Sequence, residues 1–111
     1  MATISNLFID QDSDFTTTVT VNDSNGTALD LTNYTALGMI RKTYESSSAT
    51  TFASSFVSPR TTGQITISLT DTQTAALDYG RYVYDLIITD ASGSKTRVVE
   101  GIATVSPSVS R

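Results

Sequence analysis

Three aspartates at alternate positions form the first cluster in the chain that could do chemistry. Asp10, Asp12 and Asp14 belong to the segment D-Q-D-S-D, and alternate carboxylates can converge on a hard cation such as Ca²⁺. The helix-loop-helix form of such a site requires glycine where Phe15 stands and glutamate where Val21 stands, so that form is excluded. Carboxylates and serine also favour turns. We therefore interpret the segment as an acidic turn between two strands, with a calcium site as the alternative.

A second pair of carboxylates lies inside two long apolar segments near the C-terminus. Asp85 and Glu100 would be an acid/base pair if they faced a concave pocket and had separated pKa values. Arg81 and Arg97 lie in the same two segments. Because opposite charges on neighbouring strands pair on a solvated face, we predict ion pairing of these carboxylates with Arg97 or Arg81 rather than catalysis.

Histidine and cysteine are both absent from the 111 residues. Their absence removes the commonest general base and metal ligand, together with disulfides, thiolate zinc sites and cysteine nucleophiles. A hydrolase would have to use a carboxylate pair or a Ser–Lys mechanism. The sequence therefore predicts no enzyme activity and no bound cofactor.

The tyrosines suggest two different roles. Tyr82 and Tyr84 are two residues apart, so they share one face of a strand. They would be either a platform for carbohydrate or peptide, or walls of the core with hydroxyls at the rim, and we favour the core. Tyr44 instead borders a polar loop, Tyr44–Thr51, and an exposed aromatic residue there is a candidate contact for a partner.

The charge balance argues against nucleic acid as a ligand. The net charge is −4, whereas nucleic-acid binders normally carry a basic face. Arg41 and Lys42 are the only adjacent bases. The N-terminus lacks the basic and apolar regions of a signal peptide, and every apolar run is too short to span a membrane. We expect neither nucleic-acid nor membrane binding.

The elements that must position these residues are strands. Threonine and serine are the two most abundant residue types, and threonine fits a half-exposed pleated surface. Apolar residues alternate with polar ones in Phe15–Val21 and again in Gln64–Thr70, which is the period of a strand with one buried face. A first strand is predicted over Ala2–Ile9, and its alternation is imperfect.

The longest predicted hairpin spans Gly80–Pro107. Its two strands flank the polar turn D-A-S-G-S. The first strand has apolar residues on both faces, as expected for a central strand. Gly101 in the second strand suggests a bulge or a close approach of another backbone segment.

One segment breaks the strand pattern. Asp71–Asp78 has Asp71 at a plausible N-cap, followed by good helix formers. We predict one or two helical turns there, with Leu77 pointing into the core. The whole chain is then one all-β domain, residues 1–111, an antiparallel β-sandwich of about seven or eight strands with one short helical turn near residues 71–78.

Five segments, taken in order, resemble a known class of proteins. They are D-L-T-N-Y-T at 30–35, I-R-K-T-Y at 40–44, I-S-L-T-D-T-Q-T-A-A-L at 67–77, G-R-Y-V-Y-D-L at 80–86 and T-R-V-V-E-G-I-A-T-V-S-P at 96–107. Together they resemble small virion structural proteins of tailed phages and, more distantly, the N-terminal domains of phage baseplate upper proteins. The resemblance implies an immunoglobulin-like sandwich that docks into a virion, assembled in the bacterial cytoplasm, and has no catalysis.

The resemblance also implies the kind of partner. We expect other virion proteins and further copies of the same chain, with tail, neck or baseplate favoured over the capsid surface. Baseplate upper proteins continue into a fibre or receptor-carrying region, and this chain departs from that pattern, so the expected role is anchoring or decoration. The alternative is a carbohydrate- or calcium-binding β-sandwich. The candidate contact residues lie in the polar loop and near the C-terminus: Arg41, Lys42, Tyr44, Glu45, Val109 and Arg111.

Overall fold

The computed structural model describes residues 3–22, 25–47 and 49–109, and this part of the chain forms two β-sheets. The larger sheet contains β1 (Thr3–Ile4), β2 (Leu7–Asp10), β4 (Thr35–Arg41), β5 (Thr50–Thr51), β8 (Gly80–Thr89) and β9 (Lys95–Ser106). The smaller sheet contains β3 (Phe15–Thr20), β6 (Ala53–Phe56) and β7 (Gln64–Leu69). A 3-10 turn (Arg60–Thr62) and a short helix, α1 (Asp71–Ala75), complete the elements.

The strand order is that of an all-β sandwich, as the sequence predicted. In the larger sheet β9, β8, β4 and β5 follow one another, and β1 and β2 both pair with the free edge of β9. The smaller sheet has the order β3–β7–β6. The pairs β3–β7, β6–β7, β4–β5, β4–β8 and β8–β9 are antiparallel, whereas β1 and β2 run parallel to β9.

The first predicted strand is two strands rather than one. The pairing with β9 is interrupted at Ser5 and Asn6, opposite Gly101, where the backbone of Ser5 approaches so closely that a side chain at position 101 would collide with it. Here Ser5 N donates to Glu100 O at 2.9 Å, and Ile102 N donates to the side-chain oxygen of Asn6 at 3.2 Å. The close approach predicted at Gly101 is therefore confirmed. The bulge that was the other possibility is found at a different place: the pairing of β8 with β9 shifts register between Leu86 and Ile87.

The core lies between the inward faces of the two sheets. Its largest fully buried apolar side chains are aliphatic and come from both sheets and from the loop before β4: Ile9, Leu31, Ile40, Ile65, Ile67, Leu86, Ile88 and Val105. Each such side chain contributes about 1.5–3 kcal/mol by leaving water. Tyr82 and Tyr84 are also buried, so the assignment of both tyrosines to the core is confirmed.

Helix α1 follows β7 and begins one residue earlier than the sequence suggested. Its N-cap is Thr70, not Asp71, because the Thr70 hydroxyl accepts from Gln73 N at 3.2 Å while the Gln73 side chain accepts from Thr70 N at 2.9 Å. This reciprocal capping box satisfies two otherwise unpaired donors. Leu77 is buried, as predicted. Neither helical element of the described residues is long and apolar enough to cross a membrane.

Candidate functional site

The face of the larger sheet that points away from the core carries apolar residues. On β4 and β8 these are Leu37, Met39, Val83 and Ile87, and on β9 it is Ile102, which the register places beside Val83. Leu37 and Ile102 remain 49% and 42% exposed. The two apolar faces of β8 therefore do not mean that both are covered: the inner face meets the smaller sheet, and the outer face carries a surface patch.

The short strands β1 and β2 extend this apolar surface. Ile4 pairs with Glu100 and Phe8 pairs with Thr104, and side chains of register partners point to the same side of a sheet. Both Ile4 and Phe8 are 76% exposed. We call the following set the outer patch: Ile4, Phe8, Leu37, Met39, Val83, Ile87 and Ile102.

A shallow groove of about 290 Å³ crosses part of the outer patch. Four charged residues, two tyrosines and the patch residues of β4 and β8 line it: Arg41, Asp85, Arg97, Glu100, Tyr44, Tyr84, Leu37, Met39, Val83 and Ile87. Two arginines and two carboxylates make the groove neutral overall, although the chain has a net charge of −4. The groove therefore combines an apolar floor with balanced charges.

An ion pair in the groove confirms the predicted pairing for Asp85, one of the two carboxylates. Arg97 Nε lies 3.2 Å from Asp85 Oδ2, and Asp85 is the register partner of Glu100. The two ion-paired side chains are partly exposed, so their pairing contributes at most about 1 kcal/mol to stability. Asp85 is positioned as the partner of an arginine, and its neighbour Glu100 offers a second carboxylate to whatever enters the groove.

Arg41 connects the groove to the loop after β4. Its guanidinium donates from Nη1 to Ser46 O at 2.7 Å and lies 3.7 Å, through Nη2, from Met39 Sδ. These contacts hold the loop against the groove, and Tyr44, at the tip, is 75% exposed. Glu45 is exposed beside it. The structure thus brings Arg41 and Tyr44, two of the predicted contact residues, into one site.

Lys42 does not share the surface of Arg41. Its ammonium nitrogen lies 4.7 Å from the centroid of the Tyr82 ring, a distance at which a cation and an aromatic face attract. Burial raises the pKa of the Tyr82 hydroxyl, and the nearby Asp78 carboxylate raises it further. That hydroxyl donates to Asp78 O at 2.8 Å. The adjacent bases therefore form no continuous basic surface.

Tyr84 lies behind the groove with its ring in the core. Burial raises the pKa of its hydroxyl, and the hydrogen bond to the carbonyl of Ser5 partly opposes that rise. The ring also packs edge-on against Phe52, with centroids 6.1 Å apart. Tyr84 is a structural wall of the groove and is not available as a stacking platform.

The acidic turn is tied to helix α1. Asp14 Oδ1 accepts from Asp71 N at 2.8 Å, and the buried Thr74 hydroxyl lies 2.9 Å from Ser13 O. Asp12 takes a left-handed conformation, with φ 64°. Within the described ranges, no three acidic side chains are placed to hold a metal ion. The structure therefore does not bring Asp10, Asp12 and Asp14 together as one site.

The C-terminal contact candidates lie only partly within the described residues. Val109 is 93% exposed, whereas Arg111 lies outside the described ranges. The sheet register places the end of β4, the start of β8 and the end of β9 at one end of the larger sheet. The loop that carries Tyr44 and the segment that carries Val109 therefore leave the sheet at the same end.

The outer patch is the feature that sequence reasoning missed. Its signal was present, because apolar residues on both faces of a strand are compatible either with a second covering layer or with an exposed patch. Only the pairing of Leu37 with Ile87 and of Val83 with Ile102 distinguishes the two cases, and that pairing depends on the register of three strands.

Comparisons with known proteins show the fold and nothing narrower. No model of a protein family matches the sequence, and no curated protein matches it. Among solved structures, the chain is similar to an internalin-like protein of Listeria monocytogenes, with a TM-score of 0.53 and 19% identity. The match covers 95% of this chain and 28% of that protein, so the chain spans less than a third of the length of this structural neighbour.

Proposed function

We propose that the protein is a non-catalytic virion structural protein of a tailed phage, an assembly, anchoring or decoration module that acts through protein–protein contacts. The outer patch is the observation that carries the contact role, because contiguous apolar surface exposed on a small domain marks interaction sites. The phage assignment rests on the ordered resemblance of five sequence segments. Tail, neck or baseplate is favoured over the capsid surface on the same resemblance.

The residue types at the groove support a protein partner. Tyrosine, methionine and arginine are enriched in the cores of protein interfaces, and Tyr44, Met39, Arg41 and Arg97 line this groove. Exposed anchors of this kind gain the most when a partner excludes water around them. Two carboxylates beside two arginines would fix the orientation of the partner more than they would add affinity.

Quantitative mass spectrometry of purified particles tests the proposal directly. We expect the protein at a fixed copy number per particle, retained through density-gradient purification, and electron microscopy with a specific antibody would locate it. Its absence from purified particles would rule out a virion role.

Two variants test whether the outer patch is the docking surface. Leu37→Lys and Ile102→Lys each place a charge on the patch, and we expect particles to lose the protein by about tenfold, the equivalent of 1.4 kcal/mol. Ser55→Lys is the matched control, because Ser55 is an exposed residue of the other sheet. Equal incorporation of all three variants would place the contact on another surface.

The alternative, a carbohydrate- or calcium-binding module, has lost the features that suggested it. The paired tyrosines lie in the core, and Asp14 binds the first turn of α1. Calorimetric titration with CaCl₂ and a glycan array remain its direct tests. Saturable heat or a reproducible glycan signal would favour this alternative over the virion role.

A further inference from the structure

Strand β3 is an edge strand without the usual protection of an edge. It ends the smaller sheet, in which the order is β3–β7–β6, and its sequence is F-T-T-T-V-T. Natural edges are blocked by charged side chains, prolines, bulges or very short strands. The six residues of β3 contain no charge and no proline, and their register with β7 is continuous from Phe15 to Thr20.

The hydrogen-bond pattern shows which residues of β3 offer their backbone to an incoming strand. Val21 N donates to Gly63 O at 2.7 Å, one step beyond the register pair of Thr20 with Gln64. Since bonded and non-bonded pairs alternate in an antiparallel ladder, the odd-numbered residues of β3 bond to β7. The backbone groups of Thr16, Thr18 and Thr20 then point to the open edge.

The hydrogen bonds between β7 and β6 confirm this alternation. Val57 N donates to Gln64 O at 3.1 Å, so the even-numbered residues of β7 bond to β6 and its odd-numbered residues bond to β3. Among residues 3–22, 25–47 and 49–109, no hydrogen bond reaches the backbone of Thr16, Thr18 or Thr20 from outside the ladder. Three consecutive pairs of N–H and C=O groups are therefore available.

We propose that β3 is a self-association edge, at which a second copy of this chain adds its own β3 antiparallel about a two-fold axis through Thr18. Thr18 then lies opposite Thr18 of the second copy, and Thr16 lies opposite Thr20. These three pairs form about six backbone hydrogen bonds. The two smaller sheets become one sheet of six strands that runs through both molecules.

The alternating pattern of β3 selects this register. A slip by one residue would place Phe15 and Val19 on the side of the outward threonines, which is unfavourable where one face is buried. An axis through Thr17 leaves the same side chains on each face of the sheet. Of the three open residues, however, it pairs only Thr16 and Thr18 with each other, and Thr20 has no open partner. The axis through Thr18 uses all three open residues.

A second copy fits the edge because the strand is complementary to itself. Strand β3 has no charged residue that could repel its copy. The neighbouring Asp14 would face Asn22 of the second copy rather than its Asp14. Thr–Thr pairs are favourable across strands. Phe15 and Val19, which are only partly buried at the sheet edge, would gain cover from the added strand.

This inference deepens the proposed function, since it names the surface through which copies of the chain would associate, yet it can fail separately. Absence from particles would overturn the virion role without affecting self-association. A monomer in solution would overturn self-association without affecting the virion role.

Cross-linking tests the two-fold axis. The natural chain has no cysteine, so a single introduced thiol reports one position. In the proposed dimer the Cα atoms at position 18 lie about 5.5 Å apart, within the range of a disulfide, whereas those at position 16 are separated by four residues, about 14 Å. We expect Thr18→Cys to form a disulfide dimer under mild oxidation and Thr16→Cys to form at least about tenfold less. Equal yields would overturn the register.

Sedimentation equilibrium over a concentration series tests the association itself. We expect the natural chain to show a monomer–dimer equilibrium, Thr18→Lys to raise the dimer Kd by at least about tenfold through like charges across the axis, and Ser55→Lys to leave Kd unchanged. Thr16→Pro removes an N–H that is not bonded within the molecule and should act like Thr18→Lys, with circular dichroism confirming the fold. A natural chain that stays monomeric to about 1 mM, or a dimer unaffected by both edge variants, overturns the proposal.

Discussion

Gly101 lies where the chain between β1 and β2 passes closest to β9. A Cβ atom there would overlap the carbonyl oxygen of Ser5, and the obstacle is backbone, which cannot rotate away as a side chain can. We predict that Gly101→Ala lowers the free energy of unfolding by about 2–3 kcal/mol, the upper range of overpacking costs. Urea unfolding followed by circular dichroism measures the change.

Gly93 provides the matched glycine control for that prediction. It has a positive φ of 91°, and a methyl group added to its Cα would meet no atom within 4 Å, so Gly93→Ala carries only backbone strain, about 1 kcal/mol. If both alanine variants lower the free energy of unfolding by the same amount, the close approach of Ser5 to β9 is not the reason that position 101 requires glycine.

Asp90 organises the turn of the long hairpin. Its Oδ1 accepts from Ser92 N, Ser92 Oγ and Ser94 N at 2.7–2.9 Å, and these bonds, the one from the Ser92 hydroxyl first, lower the pKa of the carboxyl below its ordinary 3.8. A lowered pKa in the folded state means that the ionised form stabilises the fold. The contribution is present above pH 3.8 and is lost as the pH falls through the folded-state pKa.

The prediction for Asp90→Asn follows from that sign. Urea midpoints of the variant and the natural chain should differ most above about pH 5 and converge as the pH falls below the ordinary carboxyl value. Ser92→Ala, which keeps the titrating group and removes one donor, should show a smaller difference in the same pH window. A constant difference across the acid range would contradict the role of ionised Asp90.

At the scale of elements, strands with regular alternation were predictable and exceptions were not. The period-two pattern of β3, β7 and β8 is local, because each side chain reports its own face. The parallel pairing of β1 and β2 with β9 depends on Gly101, which lies at the opposite end of the sequence from Thr3, so no local pattern could reveal it. The N-cap of α1 was misassigned because Thr70 and Asp71 are both good capping residues.

The capping box of α1 leads to the prediction at this scale. Removing the Thr70 hydroxyl leaves Gln73 N without its acceptor, so Thr70→Ala should lower the free energy of unfolding by about 1 kcal/mol. Thr72→Ala is the control, since Thr72 is an exposed residue inside the same helix and alanine is the better helix former. Thermal or urea unfolding measures both variants. A larger loss of stability for Thr72→Ala than for Thr70→Ala would contradict the role of the capping box.

At the scale of the whole molecule, the sequence predicted individual residues of the candidate site but not the surface that they form together. Tyr44 and Arg41 could be selected because an aromatic and a base border a polar loop. The ion pair of Asp85 with Arg97 could be anticipated because both lie in one hairpin. The outer patch could not, since it joins β1, β2, β4, β8 and β9 through long-range register, and an apolar residue in a strand looks the same whether a second layer covers it or solvent does.

The last prediction separates the role of the outer patch from that of the core. Leu37→Lys and Ile102→Lys act at residues that are 49% and 42% exposed, and lysine can direct its charge into water, so each should change the free energy of unfolding by less than about 1 kcal/mol. Leu86→Ala, on the inner face of β8 and fully buried, should cost about 2–5 kcal/mol. Retention on a hydrophobic-interaction column should fall for the two lysine variants.

These two measurements together decide what the patch is for. If the patch is not needed for folding but does retain the protein on an apolar matrix, its apolar residues serve contact with another molecule. If Leu37→Lys and Ile102→Lys instead destabilise the chain as much as Leu86→Ala does, the outer face takes part in folding. The contact role proposed for it would then lose its structural support.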